Sequence, residues 1–397
     1  MSPDSPPVAM GSLPPAPAAV PAVTTTVTTG FDSLPGLQRE WQELFGTAET
    51  EPTTSFEWTQ ALARTQVEPS TIEASYVVQL RRGAELVGVV PLIVRAAHVF
   101  GQRHVVVRPL AELKNTHSDL LIRRDPEVAA ALLGALGSLD RRWHSFRLAK
   151  LLQGYELTAL LEGGSTPLGF RPRRRFRKAA YWLTLPGSLD EYLAARSSKF
   201  RNYARRAEKK LRAAGRVEVI EITAPSEFDA GFDALLQVER ASWKHEHGTA
   251  MSAISREAAL YREWGRAAAA LGQVHVQLLV LDGEPIAHNL GCIHRGAYYY
   301  FKTAYAARHR PLSPATYLRL ALIGRMIERG LSTFDFCGTP YEWEQQWTDT
   351  YRWHHVLSIY ANTWRGRLFS LLDRWTHYSS SGGRVQHEDS RGARRPD

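Results

Sequence analysis

The stretch from Gln273 to Phe336 constrains this chain more than any other. Val274–Leu281, Ile286–His294 and Ala297–Tyr305 are apolar, β-rich runs separated only by short polar turns, Asp282–Gly283 and Arg295–Gly296. A two-residue Asp-Gly break between such runs is a hairpin signal, so the three runs predict an antiparallel meander. A polar, Pro-containing loop follows, Arg308–Pro314. A helix is then expected from Pro314 to Arg329, with Ser313 as its cap and Gly330 as its stop. Leu331–Phe336 reads as a further strand. Meander, loop, helix and strand in this order imply an α/β fold.

The first part of the chain carries elements of the same kind. Leu34–Leu44 and Ser55–Thr65 place apolar residues at helical spacing. Tyr76–Leu80 and Leu86–Val94 read as strands joined at Arg82–Gly83, and Pro91 in the second points to an edge or a bulge. His104–Val107, Leu120–Ile122 and Ser145–Leu151 read as strands, and Pro126–Leu139 as a helix. A length of 397 residues fits two domains. We divide the chain into residues 31–165 and 166–378, with Gly163–Arg175 as the linker. No internal sequence repeat is visible. Residues 1–30, rich in Pro, Ala, Val and Thr, and residues 379–397 read as disordered.

Composition excludes several classes. The two cysteines, Cys292 and Cys337, sit in apolar runs, which argues for reduced, buried thiols and against a disulfide framework or a metal site. No apolar run approaches the roughly 18 residues that span a bilayer. Residues 1–30 lack the basic start and compact apolar core of a signal peptide. A cytoplasmic protein without metal is expected. The net charge of +9 is local, because residues 171–212 hold 14 Lys/Arg against 3 Asp/Glu. Such a segment suits an anionic ligand or a solvated helix face. Neither a helix-turn-helix nor zinc spacing is present, so no DNA partner is expected. No Gly-x-Ser-x-Gly elbow or P-loop occurs either. Nothing in the sequence specifies an oligomeric state.

A loop feeding a helix start offers free N–H groups and the positive end of a dipole, both suited to phosphate. Arg308 and Arg310 add charge there, although an ordinary capped helix would look the same. Here the chain resembles the CelD/BcsL-type acetyltransferases, a GNAT branch associated with cellulose and exopolysaccharide biosynthesis. The segments that carry the resemblance are Ser242-Trp243-Lys244 with Gly248-Thr249, Gly283-Glu284-Pro285-Ile286-Ala287 and Tyr300-Phe301-Lys302-Thr303-Ala304-Tyr305. Leu312-Ser313-Pro314-Ala315 and Phe334-Asp335-Phe336 continue it, and Val89-Val90-Pro91-Leu92 and Ser118-Asp119-Leu120-Leu121 extend it into the first half. It spans about Phe31 to Trp375, with distant similarity to the Fem aminoacyl transferases.

The resemblance implies tandem GNAT-like α/β domains with mixed central sheets. It implies acetyl-CoA or another acyl-CoA as co-substrate, held at Arg308, Arg310, Leu312, Ser313, Pro314 and Ala315. The acyl group would pass to an amine or hydroxyl of a small-molecule or saccharide acceptor. Three positions depart from the pattern: Ala306 replaces a frequent acid, Ala315 a frequent Gly, and Tyr341-Glu342 an aromatic–lysine pair. The last inverts a charge and argues against a Fem-like reaction that draws its aminoacyl group from tRNA. The departures also leave a non-catalytic scaffold of polysaccharide synthesis as an alternative.

Direct acyl transfer needs a proton acceptor and donors for the developing oxyanion. The catalytic candidates are Asp335, His288, Lys302 and Tyr305. Asp335 stands between two phenylalanines, where a carboxylate must be paired or shifted in pKa. His288 lies on a central strand and is equally readable as a satisfied core histidine. Lys302 and Tyr305, three apart on a strand, face opposite sides unless a bulge or splay intervenes. Trp243, Lys244 and His245 are the acceptor-site candidates. His245 and His247 cannot share a helical face. The basic helix Lys199–Arg212 binds phosphate or is merely solvated, and Trp264, Trp343, Trp347 and Trp353 stack a ligand or pack the core.

Overall fold

The structure is a computed structural model that describes residues 21–381, apart from 66–71, 112–115, 141, 155, 167 and 339–341. Its strands are β1 (Val23–Thr29), β2 (Ala74–Arg82), β3 (Glu85–Val99), β4 (Gln102–Pro109), β5 (Leu121–Ile122), β6 (Ser145–Leu152) and β7 (Arg171–Thr184). They continue with β8 (Val217–Ile222), β9 (Val274–Leu281), β10 (Glu284–His294), β11 (Ala297–Tyr305), β12 (Thr333–Asp335) and β13 (Tyr351–Tyr360). The helices are α1 (Gln38–Thr47), α2 (Phe56–Thr65), α3 (Pro126–Gly137), α4 (Glu156–Ser165), α5 (Leu189–Ala194) and α6 (Ser198–Ala214). Then come α7 (Pro225–Arg240), α8 (Trp243–Glu246), α9 (Ser255–Ala270), α10 (Pro314–Glu328) and α11 (Trp364–Ser381).

All the strands join one sheet in the order β1-β2-β3-β4-β6-β13-β7-β12-β11-β10-β9-β8, with β5 beside β3. The topology repeats itself. In the first half the meander β2-β3-β4 is followed by α3 and then by β6, parallel to β4. In the second, the meander β9-β10-β11 is followed by α10 and then by β12, parallel to β11. Each half is closed at the centre by a strand from elsewhere in the chain. β13 completes the first half against β6, and β7 completes the second against β12. The two closing strands pair with each other along their length and fuse the halves.

Several expectations need correction. Val23–Thr29, assigned to a disordered start, form edge strand β1 against β2. Ser379–Ser381, assigned to a disordered tail, end helix α11. Residues 1–20 and 382–397 lie outside the described residues. Leu357, Ile359 and Ala361, of the segment 166–378, sit in the core of the first half. Ser226 and Asp229, spaced as a capping box would be, do not form one. α7 starts with Pro225 in its first turn and no side-chain cap, and Asp229 instead pairs with Arg262 and Arg266. Pro91 lies on an inner strand, at the point where β3 changes partner from β5 to β4. No N–H is required of it there, and its carbonyl accepts from the Leu110 N–H at 3.0 Å.

One apolar cluster belongs to the first half, between the sheet and α3 and α4. A second crosses between the halves. Trp58 of α2 is fully buried, with its ring 5.1 Å from Trp264 of α9 and 5.3 Å from Phe301 of β11. A third lies under α10, where Tyr298, Tyr300, Phe334 and Phe336 meet Leu322 and Met326. Burial of side chains this large on both faces fixes β11 and β12 at the middle of the molecule.

Candidate functional site

The sheet opens where β11 leaves β12. They pair in parallel only through Ala297–Thr333, Tyr298–Phe334 and Tyr299–Asp335. β12 then ends, while β11 runs on to Tyr305 still paired with β10. The partners of β10 step from Gly291–Tyr300 to Leu290–Lys302, so Phe301 is an extra, bulged residue. The bulge bends β11 away from β12 and places Phe301 and Lys302 on one face. Lys302 accordingly pairs with Glu257 of α9 and lies 5.3 Å over the Tyr261 ring. Tyr305 packs on the opposite face with Ile286 and Leu318. The bulge precedes Lys302 and so does not bring it together with Tyr305.

A polar cluster lies beneath this open edge. Lys244 donates from Nζ to the Thr303 carbonyl oxygen at 2.6 Å, covering one backbone acceptor of β11. Burial pushes its ammonium pKa down. His288 Nε2 meets Glu239 Oε1 at 3.1 Å, and Glu239 Oε2 accepts from the Met251 N–H at 2.9 Å. Burial holds His288 neutral in spite of Glu239. Burial would raise the Glu239 pKa, but His288, Lys244 and the Met251 N–H outweigh it and keep the carboxylate ionised. The structure thus gathers His288, Lys302 and Lys244. It does not gather Trp243 and His245, which are exposed on α8.

A second cluster lies across β11 from the first, about three residues or roughly 10 Å back along the strand. Asp335, the last residue of β12, is 2% exposed. Its Oδ1 accepts from the Cys337 N–H at 2.7 Å and meets His117 Nε2 at 3.0 Å, and its Oδ2 accepts from Arg352 at 2.7 Å. His117 Nδ1 meets His354 Nε2 at 2.8 Å. Burial alone would raise the Asp335 pKa. The His117 charge and hydrogen bond, then Arg352 and the Cys337 N–H, hold it at about 2. His117 is raised by Asp335 and Glu51 against its own burial, while burial and His117 push His354 down to about 2. His117, Asp335 and Cys337 offer three ligand atoms within 4.8 Å of one another. Yet every His117 ring nitrogen and Asp335 oxygen already has a protein partner, the geometry of a proton-linked chain. Both cysteines are free and buried.

The loop ahead of α10 folds as a 3-10 turn, Ala307–Leu312. Ser313 follows in the left-handed region at φ 55, and its side chain makes no cap bond. Its hydroxyl instead meets Tyr203 of α6 at 3.3 Å, which corrects the expected side-chain cap. Lys210 of α6 donates to the Pro311 carbonyl at 3.0 Å. Arg308 is tied to Glu284, whereas Arg310 is exposed. α6 therefore lies along the loop, capped at its own start by Ser197. Its outer residues Asn202, Arg205, Arg206 and Lys209 line a shallow depression. The matching helix of the first half differs. The N-terminus of α3 is capped by the Asp125 carboxylate and carries Glu127, while the first turn of α10 holds no acid.

Sequence reasoning missed Glu51, His117, Glu239, Glu257, Arg319, Arg352 and His354. Arg319 is buried with its guanidinium 3.9 Å from the Trp343 ring and 4.9 Å from Trp347, which gives those two tryptophans a packing role. His117 adjoins the Ser118–Asp119 segment that the resemblance singles out, but its partner Asp335 is 218 residues away. Tyr341 lies outside the described residues, as does the side chain of Glu342.

This arrangement belongs to a class of enzyme. Residues 198–345 match the family described as acetyltransferase (GNAT) domain, a span that includes α10, the loop before it and the open edge of β11. That segment is a GNAT acyltransferase domain. Two solved structures share its fold over most of its length. A crystal structure of FemX is 12% identical, with a TM-score of 0.56, covering 84% of this chain and 98% of that one. A conserved protein of unknown function from Bacteroides thetaiotaomicron is 11% identical, with a TM-score of 0.53, covering 84% and 100%. A tandem GNAT protein from the clavulanic acid biosynthesis pathway aligns more loosely, at 13% identity and a TM-score of 0.43 over 86% and 99%. At such identities the likeness concerns the fold alone. No curated protein matches the chain in sequence. No described helix is long and apolar enough to cross a membrane.

Proposed function

We propose that this protein transfers an acyl group from acetyl-CoA or another acyl-CoA to an amine or hydroxyl of a small-molecule or saccharide acceptor. The observation that carries the reading is the parting of β11 from β12 directly ahead of an acid-free helix start. In this reading the diphosphate sits at Leu312, Ser313, Pro314 and Ala315, with Arg310 and Lys210 supplying charge. The pantetheine amides add along the open edge of β11 as an extra strand would. The thioester then lies at the Phe301 bulge, between the two polar clusters. The acid cap of α3 repels phosphate, which favours the second half as the only donor site. We place the chain with the CelD/BcsL-type branch and in the cytoplasm, where acyl-CoA is available. A second reading, aminoacyl transfer from tRNA, is favoured by the fold shared with FemX and by Arg205, Arg206 and Lys209 beside the loop.

Calorimetric titration with acetyl-CoA tests the first reading. The parent protein is expected to bind in the micromolar range. Ser313→Glu sets a carboxylate against the diphosphate and should weaken binding by about tenfold or more, the order of 1–2 kcal/mol expected at a helix N-terminus. Failure of the parent to bind acetyl-CoA or a longer acyl-CoA would overturn the reading.

A further inference from the structure

The crease between the halves buries a carboxyl oxygen that has no hydrogen-bond partner among the described residues. Glu51 stands on the turn between α1 and the 3-10 segment Pro52–Thr54, and only 6% of it is exposed. The turn is fixed in place. Glu51 N–H and Thr50 Oγ1 donate to Asp119 Oδ2 at 3.0 and 2.6 Å, and Thr54 Oγ1 donates to the Glu51 carbonyl at 2.9 Å. Asp119 is itself answered by Arg124 at 2.7 Å. The Glu51 side chain differs, for its Oε2 is buried without a hydrogen-bond partner among the described residues. Thr116 Oγ1, Ser118 Oγ and Arg352 Nε are likewise buried and unpartnered among the described residues, and all three belong to residues that flank or engage the His117–Asp335 pair. Native interiors hold few such atoms, so several at one crease mark a place built for something other than packing.

The charged and titratable groups acting on Glu51 come from both halves: His117, Asp119, Asp335 and Arg352, with Cys292, Cys337 and Tyr299 feeling its charge in turn. Arg352 is committed to Asp335 and to the face of Trp182, 5.4 Å from its ring. Burial raises the Glu51 carboxyl to about 7. Asp335 and Tyr299, both within electrostatic reach of this carboxyl, form the last pair before β11 and β12 part, two residues before the Phe301 bulge.

We propose that Glu51, supplied by the first half, is the catalytic proton acceptor of the second half's acyl transfer, and that the acceptor it serves is a primary amine. This rests on the acyl-CoA reading above. An incoming ammonium gives the unanswered carboxylate its missing partner and draws it into the ionised form. Glu51 then takes one proton from nitrogen. The freed lone pair forms the C–N bond to the acyl carbon as the C–S bond breaks, and the second nitrogen proton leaves with the CoA thiolate. The products are an amide, CoA thiol and one proton, released to solvent from Glu51. A hydroxyl acceptor, carrying no charge, offers the carboxylate no counter-charge and holds its proton too tightly for a carboxylate to remove.

The test uses the full chain. Acetyl-CoA binding is measured first in the parent and in Glu51→Gln, and equal affinities are expected. If the parent does not bind, the donor reading fails, and that failure is distinct from any failure of Glu51. CoA release from acetyl-CoA is then followed with ethanolamine, glucosamine and benzylamine against ethylene glycol, glucose and benzyl alcohol. The proposal expects release with at least one amine, none with its hydroxyl counterpart, and a kcat/KM that rises with pH through about 7. In Glu51→Gln kcat should fall about 100-fold and the pH step should vanish. Thermal unfolding of Glu51→Gln should be no lower than that of the parent, because the variant removes a buried acid. Amine-independent release in a protein that binds acetyl-CoA, or a Glu51→Gln variant within about threefold of the parent, overturns it.

Discussion

Replacing Asp335 by Asn keeps the shape of the side chain and removes the charge that holds His117, Arg352 and the Cys337 N–H together. Three donors converge on a side chain only 3% exposed, so solvent does little to screen them. A carboxyl held at about 2, against an ordinary 3.8, corresponds to roughly 2.5 kcal/mol of stabilisation at neutral pH. Breaking a buried pair by removing one partner costs about 3–5 kcal/mol, because the remaining charge is left without an answer. A loss of about 2.5–5 kcal/mol is therefore expected for Asp335→Asn at pH 6. Urea unfolding across a pH series measures it. The folded-state pKa of Asp335 is depressed, so its contribution is present above about 3.8 and is lost as pH falls towards 2. That of His117 is raised, so its contribution is present below 6.5 and is lost as pH rises through the folded value. The parent should thus lose stability on both sides of this window, while Asp335→Asn should show a flatter profile. A variant within about 0.5 kcal/mol of the parent at pH 6, beyond which buried-charge losses normally lie, would refute the linked chain.

Two further substitutions probe the open edge. A methyl group at Gly291 would run into the Tyr299 carbonyl and the Tyr298 ring, the first of them backbone that cannot yield, so Gly291→Ala should cost about 1–3 kcal/mol in chemical denaturation. Arg308→Ala should change acetyl-CoA affinity by less than about threefold in calorimetry, because its guanidinium is exposed and engaged by Glu284.

The second half was legible because its signals are local. Asp282–Gly283 and Arg295–Gly296 fix two hairpins whatever the rest of the chain does, and both are present, with Asp282 and Arg295 in the left-handed region. Pro314 opens α10 and Gly330 follows its end, as the sequence specifies. The Ser197 and Ser188 caps depend only on the three residues after them. The expected cap at Ser313 failed for a tertiary reason, since Tyr203 of α6 holds its hydroxyl.

The pairing of distant segments was decided only by the tertiary structure. The two halves repeat one topology without repeating a sequence, since a meander, a helix and a parallel strand can be built from many apolar residues. β13 crosses into the first half because Leu357 and Ile359 are needed to fill its core. Asp335 could be read as a buried acid in need of a partner, but His117 comes to it from the first half, 218 residues away, and Arg352 from β13. Glu51 carried no signal at all. A glutamate on a turn is ordinarily exposed, and only the closure of one half over the other takes it out of water and changes its chemistry.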